Sequence, residues 1–251
     1  MSKIVIGRQF CGPPNSGNGG YVCGVLAKDI EGPATSVLRA PIPLDEPLGL
    51  EQAGDRFVMT GLGGQLIGHG DPSEGAELPD PPPPPSLEEA RAAGERYAGL
   101  ANAFHPICFT CGANRDEGDG LRVFTGQLEG APKGRLAGAW TPHANFADPE
   151  GLVRKEVIWA ALDCPGFFTW VEIEGRHGAL LGTMTGEVLR RPRAGEPCVV
   201  SAWPLAREGR KETAGVALFS AGGELLARAH QVWIVMPPRP PVQAPAAAEA
   251  V

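Results

Sequence analysis

From residue 154 to 173, RKEVIWAALDCPGFFTWVEI, apolar positions follow one another almost continuously and predict a long, kinked helix from Leu152 to Glu172. Its apolar interior is interrupted by a lone carboxylate, Asp163, and by Pro165-Gly166 just behind it. Desolvation raises the pKa of an unpaired carboxylate, so Asp163 is expected to have a partner or a task, and it is the leading catalytic candidate. A structural alternative makes it the cap of a second helical segment opening at Pro165, because Pro is favoured at the first helical position. The two are compatible. Helices are also predicted from about Asn18 to Ile30 and from Leu87 to Leu100, the latter behind a Ser86/Glu89 capping box. Strands are predicted near Lys3 to Phe10, Thr35 to Pro41, Arg56 to Leu62 and Gln65 to His69. Six more follow near Gly120 to Leu128, Arg135 to Thr141, Ala179 to Arg190, Pro197 to Leu205, Lys211 to Ser220 and Glu224 to Val235.

These elements fall into two halves. Between Asp71 and Pro85 the run DPSEGAELPDPPPPP cannot form helix or central strand, since each proline removes a donor and fixes φ. On either side the order is alike: a helix, then a meander that starts at a Glu-Pro and ends in a Gly-Gly turn, GLGGQLIGHG in one half and SAGGELLARA in the other. The shared order indicates a duplication. The expected organisation is an N-terminal half over 1–71, a linker with a short helix and an H-x2-C-x2-C segment over 72–118, a C-terminal half over 119–236, and a flexible tail over 237–251.

Composition narrows the class. With 251 residues, 43% of them hydrophobic, the chain can bury a sizeable core, while 35 Gly and 26 Pro against 6% aromatics favour many turns and short strands. A formal net charge of -7 speaks against a nucleic-acid partner, which would need a broad basic surface. Arg190, Arg191, Arg193, Arg207, Arg210 and Lys211 still cluster in one region, as a basic patch or a solvated strand rim. No stretch has the length and apolarity of a signal peptide or membrane span, so a cytoplasmic location is expected. Six dispersed cysteines predict free thiols.

The helix start NGGYVCGVLA, the helix segment IWAALDCPGFF and the last strand LARAHQVWIVM resemble the double-hotdog acyl-CoA thioesterases, particularly the acyl-CoA thioesterase II group. The resemblance implies an α+β fold, a tandem (double) hotdog of two antiparallel sheets that each wrap a central helix. It further implies hydrolysis of an acyl-CoA thioester without a cofactor, by water held between Asp163, a strand hydroxyl and Gln231. The hydroxyl position falls near Gly182-Thr183-Met184-Thr185, and Thr183 is taken as the candidate. HPICFTCG and the short first half depart from the family's usual pattern.

For the carbonyl oxygen, glycines permit close backbone approach and the first-turn amides of a helix lack intrahelical acceptors. Asn18, Gly19, Gly20 and Tyr21 are therefore candidates for substrate binding, with the Gly20 and Tyr21 amides as oxyanion hole; alternatively Asn15, Ser16 and Asn18 only form a capped loop entering a core helix. Arg190, Arg191 and Arg193 are candidates for the phosphates of CoA. Asp163 corresponds to about Gly17 in the first half, which carries no acid, so one site per chain is expected. A fused pair already satisfies the minimal hotdog dimer, and a homodimer of double hotdogs is a further assembly it allows. The rival readings are an inactive hotdog module whose cleft is filled by Trp159, Phe167 or Phe168, and a hydratase using His143.

Other signals are weaker. His105, Cys108 and Cys111 have the spacing of three zinc ligands but no fourth is placed nearby by the sequence, so no metal is expected. His143, Asn145 and Asp148 read as a turn before the long helix. Cys164 reads as a packing residue, since the adjacent acid raises a thiol's pKa.

Overall fold

The computed structural model describes residues 2–76, 78–101, 104–175 and 177–237; the expected flexible tail from 238 onward lies outside them. The first half contains β1 (Ser2–Val5), α1 (Gly19–Ala27), β2 (Ala34–Leu38), β3 (Pro47–Ala53), β4 (Arg56–Thr60) and β5 (Leu66–Pro72). Two short helices follow, α2 (Leu87–Gly94) and α3 (Ala98–Ala101). The second half contains β6 (Gly126–Gln127), β7 (Leu136–Trp140), α4 (Lys155–Glu174), β8 (Ala179–Val188), β9 (Cys198–Glu208), β10 (Lys211–Ser220) and β11 (Leu225–Val235).

Strand order makes the duplication visible. From the centre outward the first half runs β2-β5-β4-β3-β1 and the second runs β8-β11-β10-β9-β7, with β6 as an extra edge. In both halves the innermost strand is the one that follows the helix. The expectation of two separate sheets is corrected: β2 pairs antiparallel with β8, from Ala34 opposite Gly186 to Val37 opposite Thr183, and joins everything into one eleven-stranded sheet. That pairing satisfies the backbone donors and acceptors that two free central edges would leave open.

Helices α1 and α4 pack against each other with almost no side chain between them. A Cβ on Gly20 would lie 2.5 Å from Cβ of Asp163, and one on Gly24 would lie 2.5 Å from Cα of Glu156. One turn apart on α1, these glycines let the two backbones approach. Pro165 lies inside α4, which continues through it to Glu174, so Asp163 does not cap a second segment. Side chains from elsewhere reach the carbonyls around that proline: Thr110 Oγ1 donates to the Ala160 carbonyl, and Gln231 Nε2 to those of Leu162 and Asp163.

The other departures are local. The predicted 87–100 helix stops at Gly94, where an added Cβ would meet the Phe124 carbonyl at 2.9 Å, although the Ser86/Glu89 capping box is present. The predicted strand from Gly120 shortens to Gly126–Gln127 because Leu121 and Val123 donate instead to the carbonyls of Phe109 and Thr110. A strand left out of the predicted ranges, β3, forms at Pro47–Ala53 and starts at the Glu-Pro that opens the meander. His143 caps a short 3-10 turn at Ala144–Phe146, and Asp148 accepts the amides of Glu150 and Leu152, as a turn ahead of α4 requires.

Candidate active site

Asp163 sits at the crossing of the two helices and is 3% exposed. Its Oδ2 accepts from Asn18 Nδ2 at 2.8 Å, while Oδ1 has no hydrogen-bond partner among the described residues. Burial pushes its pKa up to about 7, helped by the nearby Cys108 sulfur, whereas the Gly20 amide and the Asn18 side chain pull the other way. The acid of the second half thus faces the glycine-flanked helix start of the first.

Asn18 joins the two. It is the N-cap of α1, and its Oδ1 accepts the Tyr21 amide at 2.8 Å, an arrangement that satisfies one otherwise orphaned donor. With Oδ1 fixed on the helix, Nδ2 is left to point at Asp163. The Tyr21 amide is thereby occupied by the cap, so of the two expected oxyanion donors only that of Gly20 faces the carboxylate. The Tyr21 ring stacks on Phe10, with centroids 4.1 Å apart, and Gly19 packs against Leu181 and Leu38.

Gln231 is fully buried but does not reach the carboxylate. Its amide donates to two α4 carbonyls, at 2.7 Å to Leu162 and 3.1 Å to Asp163, and its oxygen accepts from Trp233 Nε1 at 2.9 Å. Gly166 makes room, since a Cβ there would stand 1.8 Å from Gln231 Oε1. Thr183 is a correction. Directly opposed residues of paired strands share a face, and the residue opposite Gln231 on β8 is Met184, fully buried. Thr183 and Thr185 point to the other face, where Thr185 Oγ1 meets Thr35 Oγ1 at 2.8 Å. A one-residue uncertainty in register is enough to cause this error.

The arginines line a surface cavity of about 570 Å³ with Leu152, Lys155, Val188, Leu189 and Glu196. Arg190 is held by Glu196 and Glu224, and Arg191 by Asp148. Arg193 donates to the Glu150 carbonyl at 3.2 Å and has no carboxylate within ion-pair distance among the described residues. Lys155, at the first turn of α4, donates to the Lys28 carbonyl. Neither this cavity nor a smaller one beside Cys11 and Arg115 touches Asp163.

The sequence reading weighed Cys108, Cys111 and Cys164 separately and did not bring them together beside Asp163. Cys108 lies 3.8 Å from Asn18 Nδ2, Cys164 Sγ lies 3.6 Å from Cys108 Sγ, and Cys111 completes the group. His105 is exposed, and His143 sits in its turn rather than beside Asp163, which removes the basis for a hydratase.

Neither a family model nor a curated protein matches the chain in sequence. Solved structures do match. A protein of Novosphingobium aromaticivorans, provisionally described as a thioesterase, aligns with a TM-score of 0.60 at 15% identity, covering 94% of this chain and 95% of that one. A hot dog fold protein of unknown function from Alicyclobacillus acidocaldarius aligns with 0.59 at 14% identity, covering 94% and 93%. The acyl-CoA thioesterase II of Mycobacterium marinum aligns with 0.54 at 15% identity, covering 89% and 91%. Identities this low speak to architecture alone, and the architecture is that of the double hotdogs.

Proposed function

We propose that the chain hydrolyses an acyl thioester, with acyl-CoA as substrate and Asp163 as the base toward water. The observation that carries this reading is the meeting of the two halves at Asp163: a buried carboxylate with one oxygen bound by Asn18, the other without a hydrogen-bond partner among the described residues, and the Gly20 amide near the carboxylate. Hydrolysis needs an activated water and a donor for the developing oxyanion. Asp163 Oδ1 is the group for the first, and the Gly20 amide for the second. Gln231 acts as a positioning residue, through the α4 backbone. Thr183 has no part. The cavity at Lys155 and Arg193 receives the CoA phosphates; it lies at the start of α4, about 12 Å along the helix from Asp163.

A second reading, a non-catalytic module that binds an acyl thioester, is favoured by the 3% exposure of Asp163 and by the apolar Met184 opposite Gln231. Release of free thiol from a panel of acyl-CoA esters separates the two. The hydrolase reading requires turnover that falls by roughly 10²- to 10⁴-fold in Asp163→Asn with the fold retained. Saturable binding without turnover, or turnover indifferent to Asp163→Asn, would sink it.

A further inference from the structure

The segment from Phe104 to Thr125 has no helix and no regular strand among its described residues, yet Cys108, Phe109, Thr110 and Cys111 are buried in the core between the halves. An irregular loop in such a place needs something other than a backbone ladder to hold it. Cys108 and Cys111 stand on this loop, and Cys164 on α4 comes to meet them. The three sulfurs all lie within 4.8 Å of one another, and none is bonded to another.

We propose that Cys108, Cys111 and Cys164 bind a zinc ion as thiolates and so fasten the loop to the long helix. Soft sulfur donors at this mutual spacing suit a tetrahedral ion whose metal–sulfur bonds are about 2.3 Å. The loop is built for it. In C-F-T-C-G, Gly112 follows the second cysteine at a point where a Cβ would stand 2.5 Å from the Cys108 carbonyl, and its amide donates to that carbonyl at 2.9 Å. This tight turn brings the Cys111 sulfur back beside that of Cys108.

Asn18 and Asp163 adjoin this cluster. Asn18 Nδ2 is shared between Asp163 Oδ2 at 2.8 Å and Cys108 Sγ at 3.8 Å. Asp163 Oδ1, buried and without a hydrogen-bond partner among the described residues, is the acceptor in this region that a bound cation or its solvent ligand would satisfy. The fourth vertex of the tetrahedron takes an oxygen donor. This revises the expectation of no metal, which rested on the absence of a fourth ligand placed near His105, Cys108 and Cys111 by the sequence; the fold brings Cys164 from α4.

The full chain, purified from zinc-supplemented cells without chelator, is analysed for metal by mass spectrometry, and stripped protein is titrated with cobalt. About one zinc per chain is expected, with the visible spectrum of a tetrahedral cobalt thiolate after exchange. The double variant Cys108→Ser/Cys164→Ser should lose metal by roughly tenfold or more, while Cys198→Ser, whose thiol lies outside the cluster, keeps it. The wild-type spectrum stands even if the double variant fails to fold. Protein free of zinc that gives no cobalt thiolate bands, or a Cys108–Cys164 disulfide found by mapping, would overturn the site. Metal content is read without any activity assay, so neither outcome depends on the thioesterase reading.

Discussion

Replacing Gly24 by alanine tests the helix crossing on which the site depends. The added Cβ would lie 2.5 Å from Cα of Glu156 and 2.8 Å from Cβ of Trp159, contacts of backbone and near-backbone atoms that no rotamer change can relieve. To reach ordinary van der Waals separation, α1 and α4 must move apart by about 1 Å, and overpacking of this kind costs roughly 1–3 kcal/mol or more. Alanine's better helix propensity returns about 1 kcal/mol. With a backbone clash at 2.5 Å putting the cost at the upper end of that range, the net expectation is a loss of about 2 kcal/mol, or a fall of about 4–8 °C in Tm for a domain of this size. Gly7→Ala is the control, because nothing lies within 4 Å of its added Cβ. Urea unfolding followed by fluorescence and by circular dichroism gives the midpoint and tests two-state behaviour. If Gly24→Ala were as stable as the parent, propensity would have won and the two backbones could not be in contact. The placement of Asp163 against Gly20 would then fall with it.

Gln231→Leu should destabilise by roughly 2–4 kcal/mol, because it removes a donor from two buried carbonyls and leaves the Trp233 indole N–H without an acceptor. A thermal melt unchanged from the parent would refute that role. Arg193→Ala should raise KM for acyl-CoA by about tenfold and flatten its salt dependence while leaving kcat unchanged. The same variant should treat a short thioester lacking phosphates like the parent does; an equal loss on both substrates would remove Arg193 from phosphate binding. Gly166→Ala places a Cβ 1.8 Å from Gln231 Oε1, so it should lower stability much as Gln231→Leu does. Combining the two should be less than additive, since both break one contact, and full additivity in a double-mutant cycle would show that they act separately.

Much of the fold was legible because it follows from local pattern. Strand β10 was read from the sequence with both ends in place, and the start of α1 to within one residue, since hydrophobic alternation and N-cap chemistry act within a few residues. The 87–100 helix and the 120–128 strand failed for a non-local reason: at Gly94 the Phe124 carbonyl intrudes, and the residues from Leu121 onward bond to Phe109 and Thr110 instead of to a neighbouring strand.

The candidate site divides the same way. By itself the sequence determined that Asp163 is an isolated acid in an apolar helix and that Asn18-Gly19-Gly20 opens another, because residue type and spacing set those local properties. Only the tertiary structure decided which groups meet. Pairing register put Met184 rather than Thr183 on the face of Gln231, a choice that a shift of one residue reverses along a whole strand. The crossing of α1 and α4, 145 residues apart at Asn18 and Asp163, buried the carboxylate and raised its pKa, and the loop's insertion into the core brought Cys108 and Cys111 to Cys164. Such meetings arise from packing between distant segments, and periodicity along the chain holds no record of them.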